Sequence, residues 1–127
     1  MTSWLHRLSL LIALAIGHLA CVTPSVPIPP PSPENVFFAL DADTGFATFR
    51  YGPEPSFAGA VVYVFNRDAG EGIITTAESD GSVLDTPPFP AIEGDEIVIT
   101  FESEAQLGST CVTIRDGQSN SGLECEQ

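Results

Sequence analysis

The three cysteines, Cys21, Cys111 and Cys125, are the residues whose positions most clearly predict chemistry. Cys21 directly follows an apolar run and precedes a proline-rich stretch, whereas the other two lie near the C-terminus. An odd number of cysteines in an exported protein requires a separate role for one of them. If Cys21 carries a covalent lipid, Cys111 and Cys125 remain as one pair that can form a disulfide.

Residues 1–20 have the pattern of a signal peptide. The apolar run at residues 8–19 fits the hydrophobic region of a signal, and it is shorter than the roughly 20 residues that a membrane-spanning helix needs. The sequence His18-Leu19-Ala20-Cys21 resembles the lipobox of bacterial lipoproteins, in which a small residue precedes the cysteine. The resemblance implies lipidation of Cys21 and cleavage before it, although His18 and Leu19 depart from the usual pattern. The alternative is ordinary cleavage near Ala20, which leaves Cys21 as a free thiol.

These features predict a protein of the bacterial cell envelope that contacts the membrane through its N-terminal lipid. Val22, rather than Asp, follows Cys21, which resembles outer-membrane lipoproteins; a secreted or periplasmic protein is the alternative. In such an oxidising compartment Cys111 and Cys125 are expected to pair. The closed loop between them is worth roughly 3 kcal/mol in the chain-entropy model. Two cysteines at this spacing match no zinc-binding pattern.

The composition left after removal of residues 1–20 excludes several functions. No histidine and no lysine remain, so Ser-His-Asp, Cys-His and Schiff-base catalysis are excluded. Three arginines (Arg50, Arg67 and Arg115) stand against seventeen acidic residues, a formal net charge of −14. Nucleic acid is therefore not an expected partner, because phosphate binding needs clustered cations. A carboxylate pair for glycoside hydrolysis is conceivable, but the acids lie mainly in predicted turns; we expect no enzyme and no cofactor.

Acidic turns provide the candidates for a metal site, namely Asp41, Asp43, Asp80 and Asp95. The sequence from Asp41 to Gly45 resembles the opening of a calcium loop. An EF-hand requires Gly at position 6 and Glu at position 12, however, and here those positions do not match. Asp80 and Asp95 would lie near each other only if their turns share one end of the fold. Plain turns are the favoured interpretation, and no metal site is predicted.

The elements that must position these residues begin with a proline-rich linker at residues 21–34. It contains six prolines, which predict an extended polyproline-type spacer after the lipidated cysteine. At about 3.1 Å per residue the linker would hold the domain roughly 40 Å from its anchor. The remaining residues, 35–127, are predicted to form a single domain.

Period-two alternation of apolar residues, bounded by Gly, Pro and Asp, predicts that this domain is all-β. About seven short strands with regular turns indicate a small antiparallel β-sandwich. The strand at residues 60–65 is predicted to be central and buried on both faces. A terminal hairpin is predicted to turn around Asp116-Gly117 and to carry the disulfide. The predicted strands are residues 35–40, 46–51, 60–65, 73–78, 82–89, 97–102, 111–114 and 123–126.

Residues 41–102 resemble bacterial immunoglobulin-like domains of surface and adhesin-type proteins. The resemblance is carried by the strand GAVVYV at residues 59–64, the turn Asp80-Gly81-Ser82 and the sequence Glu93-Gly94-Asp95. It implies an Ig-like sandwich that acts as a stalk, a spacer or a binding module. A transthyretin-like fold, which shares the Asp-Gly-Ser turn, is the alternative.

The sequence thus predicts a non-catalytic, lipid-anchored envelope protein displaying one Ig-like structural or interaction module, with an envelope or surface protein as a possible partner. The alternative is a ligand-binding lipoprotein that captures calcium or a glycan. An aromatic sugar platform would draw on Tyr51, Phe57, Phe65 and Phe89. Aromatic residues of strands more often belong to the core, and the absence of Trp after residue 20 disfavours a sugar platform. If an exposed apolar contact exists, it is expected at Phe57 or Phe89, which lie in proline-flanked loops.

Overall fold

A computed structural model describes residues 27–84, 86–118 and 125 of the chain. The predicted signal peptide, residues 1–20, and the predicted lipidation site, Cys21, lie outside these residues. Within the described part of the chain, no helix has the length and apolar character needed to cross a membrane.

The described residues form eight strands and two short 3-10 turns, Pro33–Asn35 and Pro55–Phe57. This confirms the prediction of an all-β fold. The strands are β1 Val36–Asp41, β2 Phe46–Tyr51, β3 Val61–Asn66, β4 Glu71–Thr76, β5 Phe89–Pro90, β6 Glu96–Ser103, β7 Gln106–Thr113 and β8 Gly117–Gln118.

The strands build two four-stranded antiparallel sheets, which confirms the predicted β-sandwich. Sheet 1 has the strand order β5-β2-β1-β8, and sheet 2 has the order β4-β3-β6-β7. Each sheet contains sequential hairpins, β1–β2 in sheet 1 and β3–β4 and β6–β7 in sheet 2. The chain crosses between the sheets after β2, β4, β5 and β7.

A single apolar core lies between the two sheets. On β2 the side chains of Ala47, Phe49 and Tyr51 are buried, as their alternation with polar residues predicts. The rings of Phe57 and Phe101 stack in the core with their centroids 4.2 Å apart. Complete burial of an aromatic side chain of this size stabilises the fold by about 1.5–3 kcal/mol.

Strand β3 is central in sheet 2, as predicted, but it is not buried on both faces. Val62 and Val64 point into the core, whereas Phe65 points outward and is 45% exposed. The reason is that residues 27–84, 86–118 and 125 form only two layers, so none of these residues packs over the whole outer face of sheet 2. A continuous apolar run therefore did not distinguish a strand covered on both faces from one covered on a single face.

The predicted strand at residues 82–89 is replaced by two shorter contacts with β2. Val83 forms an isolated bridge with Tyr51, and Phe89 and Pro90 form β5 opposite Ala47 and Phe46. Prolines at positions 87 and 88 lack the N–H that a ladder requires, so continuous pairing is interrupted between these contacts.

The predicted turn of the terminal hairpin, around Asp116-Gly117, is wrong. Residues 111–114 belong largely to β7, which begins at Gln106 and pairs with β6 through a two-residue turn at Glu104-Ala105. After Asp116 the chain does not fold back on β7; β8 crosses to sheet 1 and pairs with β1. The predicted partner strand, residues 123–126, lies outside the described residues except for Cys125.

Residues 27–33, here called the proline segment, lie against the sandwich beside β7. The backbone N–H of Ile28 donates to Oε1 of Gln106 at 2.9 Å. The backbone N–H of Ser32 donates to the hydroxyl of Tyr51 at 2.8 Å. This part of the predicted linker therefore contacts both the edge of sheet 2 and a core residue of sheet 1.

Candidate functional site

The outer face of sheet 1 carries an apolar strip, here called the β1–β2 face. Because side chains alternate along a strand, every second residue of β1 and β2 points away from the core. Two phenylalanines of this face, Phe37 and Phe46, are 39% and 42% exposed, and the adjacent Leu84 is 48% exposed. The face is formed by Phe37, Ala39, Asp41, Phe46, Thr48 and Arg50, flanked by Leu84 and Pro88.

Two shallow hollows lie on this face. One has a volume of about 440 Å³ and is lined by Phe37, Arg50 and Leu84 together with the turn at Asp80. The second has a volume of about 550 Å³ and is lined mainly by Ala39, Phe46, Thr48 and Pro88. Because both hollows are lined by residues of β1 and β2, they form neighbouring parts of one surface. Because contiguous exposed apolar residues are a feature of interaction surfaces, we take this face as the candidate site.

Arg50 supplies the positive charge of the β1–β2 face. It lies directly opposite Phe37 in the β1–β2 register. Within the described ranges Arg50 forms no salt bridge, whereas Arg67 pairs with Glu96 at 3.2 Å. Asp80 lines the same hollow, but its carboxylate accepts hydrogen bonds from the backbone N–H of Ser82 at 2.9 Å and from the Ser82 hydroxyl at 2.6 Å. These bonds lower the pKa of Asp80.

Asp41, the first of the predicted metal candidates, is engaged in its own turn. One oxygen of Asp41 accepts hydrogen bonds from the backbone N–H groups of Asp43 at 3.0 Å and Thr44 at 3.3 Å. The pKa of Asp41 is lowered by hydrogen bonds from the side chain of Thr44 and the backbone of Asp43. Both Asp41 and Asp43 are exposed in the β1–β2 turn.

Asp80 and Asp95 do not meet at one end of the sandwich. The turn at Asp80 hydrogen-bonds to Glu54 beyond the C-terminal end of β2. Asp95 lies at the opposite end, where its carboxylate accepts hydrogen bonds from the amide of Asn66 at 2.8 Å and from the backbone N–H of Ile92 at 3.0 Å. Each carboxylate stabilises a local loop.

One group of three potential metal ligands occurs among the described residues, and it contains none of the four aspartates. It consists of Glu96, Cys111 and Cys125, whose ligand atoms lie within 4.8 Å of one another. Zinc and similar ions bind the thiolate form of cysteine, and here the two sulfurs are joined to each other. The group is therefore a disulfide beside a carboxylate.

The aromatic residues exposed on the surface differ from those expected. Phe57 and Phe89, where an exposed contact was expected, are both buried, so this expectation was wrong; Tyr51 is buried, as its position on β2 predicts. The neighbouring Pro55 and Pro88 are exposed, whereas both phenylalanines are buried in the core. Phe37 and Phe46 were missed. The consecutive pair Phe37-Phe38 was the available signal, because two adjacent residues of a half-buried strand point to opposite faces.

The predicted disulfide between Cys111 and Cys125 is confirmed, with the two Cα atoms 5.6 Å apart. It links β7, at the edge of sheet 2, to the C-terminal residues.

Comparisons with protein-family models, with curated proteins and with solved structures each found no match to this chain. The grounds for a function therefore lie in its own residues and geometry.

Proposed function

We propose that this chain is a non-catalytic, lipid-anchored protein of the bacterial envelope that displays a single immunoglobulin-like interaction module. The tether is supported by the signal-like residues 1–20 and by Cys21, which follows a lipobox-like sequence. The pairing of Cys111 with Cys125 supports it further, because Cys21 is then the one cysteine that needs another role. The absence of His and Lys after residue 20 supports a non-catalytic function.

The strand order supports the immunoglobulin-like assignment. Immunoglobulin sandwiches place strands A, B and E in one sheet and strands C, F and G in the other. Here β1, β2 and β5 share sheet 1 in the order β5-β2-β1, and β3, β6 and β7 share sheet 2 in that order. Strand β4 then corresponds to C′ of the variable type, and β8 is an addition beside β1.

The β1–β2 face is the surface that we assign to the partner. The observation that carries this assignment is Arg50, a cation without a salt bridge in the described part of the chain, set among exposed apolar side chains. The whole chain has a formal net charge of −13, so a cation here would attract a carboxylate that the rest of the surface repels. The partner we propose is a protein segment with apolar side chains and one carboxylate that reaches Arg50.

The tether is tested by the intact mass of the protein extracted from membranes in detergent, before and after reduction. A mass that begins at Cys21 and includes acyl chains supports the anchor, and a gain of two hydrogens on reduction reports the Cys111–Cys125 bond. An unlipidated mass in the soluble fraction would contradict the anchor and indicate a secreted domain.

The partner surface is tested by a photo-crosslinking amino acid placed at Phe46 in cells that make the protein. We expect one defined adduct, lost when Arg50→Glu is added. The matched control places the same amino acid at Leu107, an exposed residue of β7 that lies outside the β1–β2 face. Equal adducts from Phe46 and Leu107, or adducts unaffected by Arg50→Glu, would contradict this assignment.

A further inference from the structure

The four edges of the two sheets are not equally protected. Strands β5 and β8 contain two residues each, and β5 ends in Pro90, which has no N–H to offer. The edge strand β7 is flanked by the proline segment, so closely that a Cβ added at Gly108 would lie 2.5 Å from the carbonyl oxygen of Pro29. Short strands, prolines and covering segments are the devices by which proteins block pairing with other chains.

Strand β4 is neither short nor interrupted by proline, and no segment of the described part of the chain covers its edge. It runs over six residues, Glu71–Thr76, and it pairs with β3 in an unbroken register without a bulge. Its sequence EGIITT contains no proline and a single charged residue, Glu71, at its first position. A long, regular edge of this composition is a template for an additional strand.

The register identifies the backbone groups that are free on this edge. Ala77 donates its N–H to the carbonyl of Ala60 at 2.8 Å, which places these two residues in a hydrogen-bonded pair of the ladder. Because such pairs alternate in an antiparallel ladder, the N–H and C=O groups of Gly72, Ile74 and Thr76 point away from β3. Over residues 27–84, 86–118 and 125, these outward groups have no hydrogen-bond partner.

Apolar side chains beside this edge are also exposed to solvent. Ile74 is 68% exposed and stands opposite Tyr63 on the outer face of sheet 2. Phe65, also exposed, stands opposite Gly72, which has no side chain to cover it. A strand added beside β4 would cover part of this apolar area and satisfy the outward backbone groups together.

We propose that the β4 edge pairs with the β4 edge of a second copy of this chain, antiparallel and centred on Ile74. In that register Ile74 faces Ile74 of the second copy, and Gly72 faces its Thr76. All three outward-pointing residues of each copy are then paired, which gives one continuous eight-stranded sheet. The edge is thus complementary to itself, as a two-fold interface requires.

Local like-charge contacts in this register are confined to the ends of the paired strands. Glu71 of β4 would face Ala77 of the second copy, one residue from that copy's exposed Glu78. The two Glu71 side chains would then be separated by six residues along the strands, about 20 Å. That distance exceeds the Debye length of about 8 Å at physiological ionic strength. The overall negative charge of each copy still acts, so we expect association to strengthen as salt is added.

An edge-to-edge contact is small, and small interfaces are weak and transient. We therefore expect a reversible dimer that forms at high concentration. The inference does not depend on the proposed lipid anchor or on the β1–β2 face, and it is tested with a soluble Cys21→Ser protein.

The first test is cysteine trapping in the Cys21→Ser background. Ile74→Cys places two thiols opposite each other, in a pair whose Cα atoms are about 5.5 Å apart, within reach of a disulfide. Thr76→Cys lies on the same strand and is also exposed, but the two copies of this residue would be about 13 Å apart. We expect the disulfide-linked dimer to form at least roughly tenfold faster with Ile74→Cys, because proximity makes the reaction effectively intramolecular. Equal rates would overturn the register.

The second test is sedimentation equilibrium of the Cys21→Ser protein at increasing concentration and salt. We expect reversible dimers that strengthen with salt and disappear in Ile74→Lys, which puts a charge on the edge. The control is Leu107→Lys, which introduces the same charge at an exposed residue of β7, on the other edge of sheet 2. It should leave the dimer intact. A monomer at millimolar concentration in all salts, or equal losses from both lysine variants, would overturn the proposal.

Discussion

The side-chain amide of Asn66 donates a hydrogen bond to the carboxylate of Asp95 at 2.8 Å. The same amide nitrogen donates to the backbone carbonyl of Pro90 at 3.0 Å. Its amide oxygen accepts the backbone N–H groups of Asp68 and Ala69 at 2.9 and 3.1 Å. Asn66 is fully buried, and it joins the β3–β4 turn to the loop before β6.

We predict that Asn66→Ala lowers the free energy of unfolding by about 2–3 kcal/mol, because it leaves several polar groups without partners. Asn66→Asp keeps an acceptor for Asp68 and Ala69 but places a second carboxylate beside Asp95. The pKa of the new carboxyl would then be higher in the folded state than in the unfolded state. Its penalty, relative to wild type, should be present near pH 7 and decrease as the pH falls toward 4.

Urea denaturation at both pH values measures these two effects. A loss in Asn66→Asp that is the same at both pH values would contradict the proposed repulsion with Asp95.

Tyr51 provides a second prediction, in alkali. Its hydroxyl donates to Glu54 and accepts the backbone N–H of Ser32. Burial, and then the hydrogen bond to Glu54, raise the pKa of Tyr51 well above its usual value. The folded state thus favours the protonated hydroxyl, so this contribution is complete below about pH 10 and is lost as the pH rises further.

Tyr51→Phe should cost about 1–2 kcal/mol near pH 7, since Ser32 and Glu54 lose their partner. In alkali the free energy of unfolding of the variant should decrease less steeply with rising pH than that of wild type. The chain has two tyrosines, so tyrosinate absorbance of Tyr63→Phe reports Tyr51 alone. Ionisation of Tyr51 at an ordinary tyrosine pKa, without unfolding, would contradict the prediction.

The β6–β7 turn provides a third prediction. Glu104 and Ala105 have φ angles of 49° and 63°, which residues with a Cβ rarely adopt. We predict that Ala105→Gly raises the free energy of unfolding by about 1 kcal/mol, because glycine adopts this region without the steric cost. The control is Ala58→Gly, an exposed loop alanine with a φ of −51°, which should be destabilising. Thermal melts show whether Ala105→Gly raises the melting temperature and Ala58→Gly lowers it. An increase in both variants would contradict the explanation.

The disulfide provides a fourth prediction. Replacement of both Cys111 and Cys125 by serine should lower the free energy of unfolding by about 3 kcal/mol, since the unfolded chain is no longer cross-linked. Reductant should shift the urea midpoint of wild type toward that of the double variant and leave the double variant unchanged. An unchanged wild-type midpoint after complete reduction would show that the bond contributes little.

Much of the sandwich follows from local sequence patterns. Strand β2 alternates clearly enough that its buried face was predicted residue by residue. The Asp80-Gly81 turn was predicted too, and Gly81 there has a φ of +81°. In both cases the decisive physics is local: side-chain alternation along a strand and the freedom of glycine at positive φ.

The β6–β7 turn and the crossing of β8 to sheet 1 could not be predicted in this way. Glu104-Ala105 lacks the Asn or Gly that normally marks a two-residue hairpin turn, so β7 was predicted to begin five residues too late. The pairing of β8 with β1 is accompanied by a tertiary hydrogen bond from the backbone N–H of Leu40 to Asp116, and no short sequence window contains both residues.

The candidate site was harder to predict than the fold. The four aspartates were recognised as turn residues, but the exposed side of β1 and β2 depends on which face the second sheet covers. The pair Phe37-Phe38 could have shown that one phenylalanine must point outward, but the lack of a salt bridge at Arg50 among the described residues is apparent only in three dimensions.

The proline segment also determines how the domain would respond to mechanical force. A pull on the N-terminus would first act on the contacts of Ile28 with Gln106 and of Ser32 with Tyr51, before it reached β1. These contacts are few and sequential, so they would detach one after another, whereas the β1–β2 ladder would resist in shear. Detachment would uncover the edge of β7 while the sandwich stayed folded. The proline segment would thus lengthen the tether at low force, before the sandwich unfolds. It would also expose a second sheet edge, that of β7, under tension.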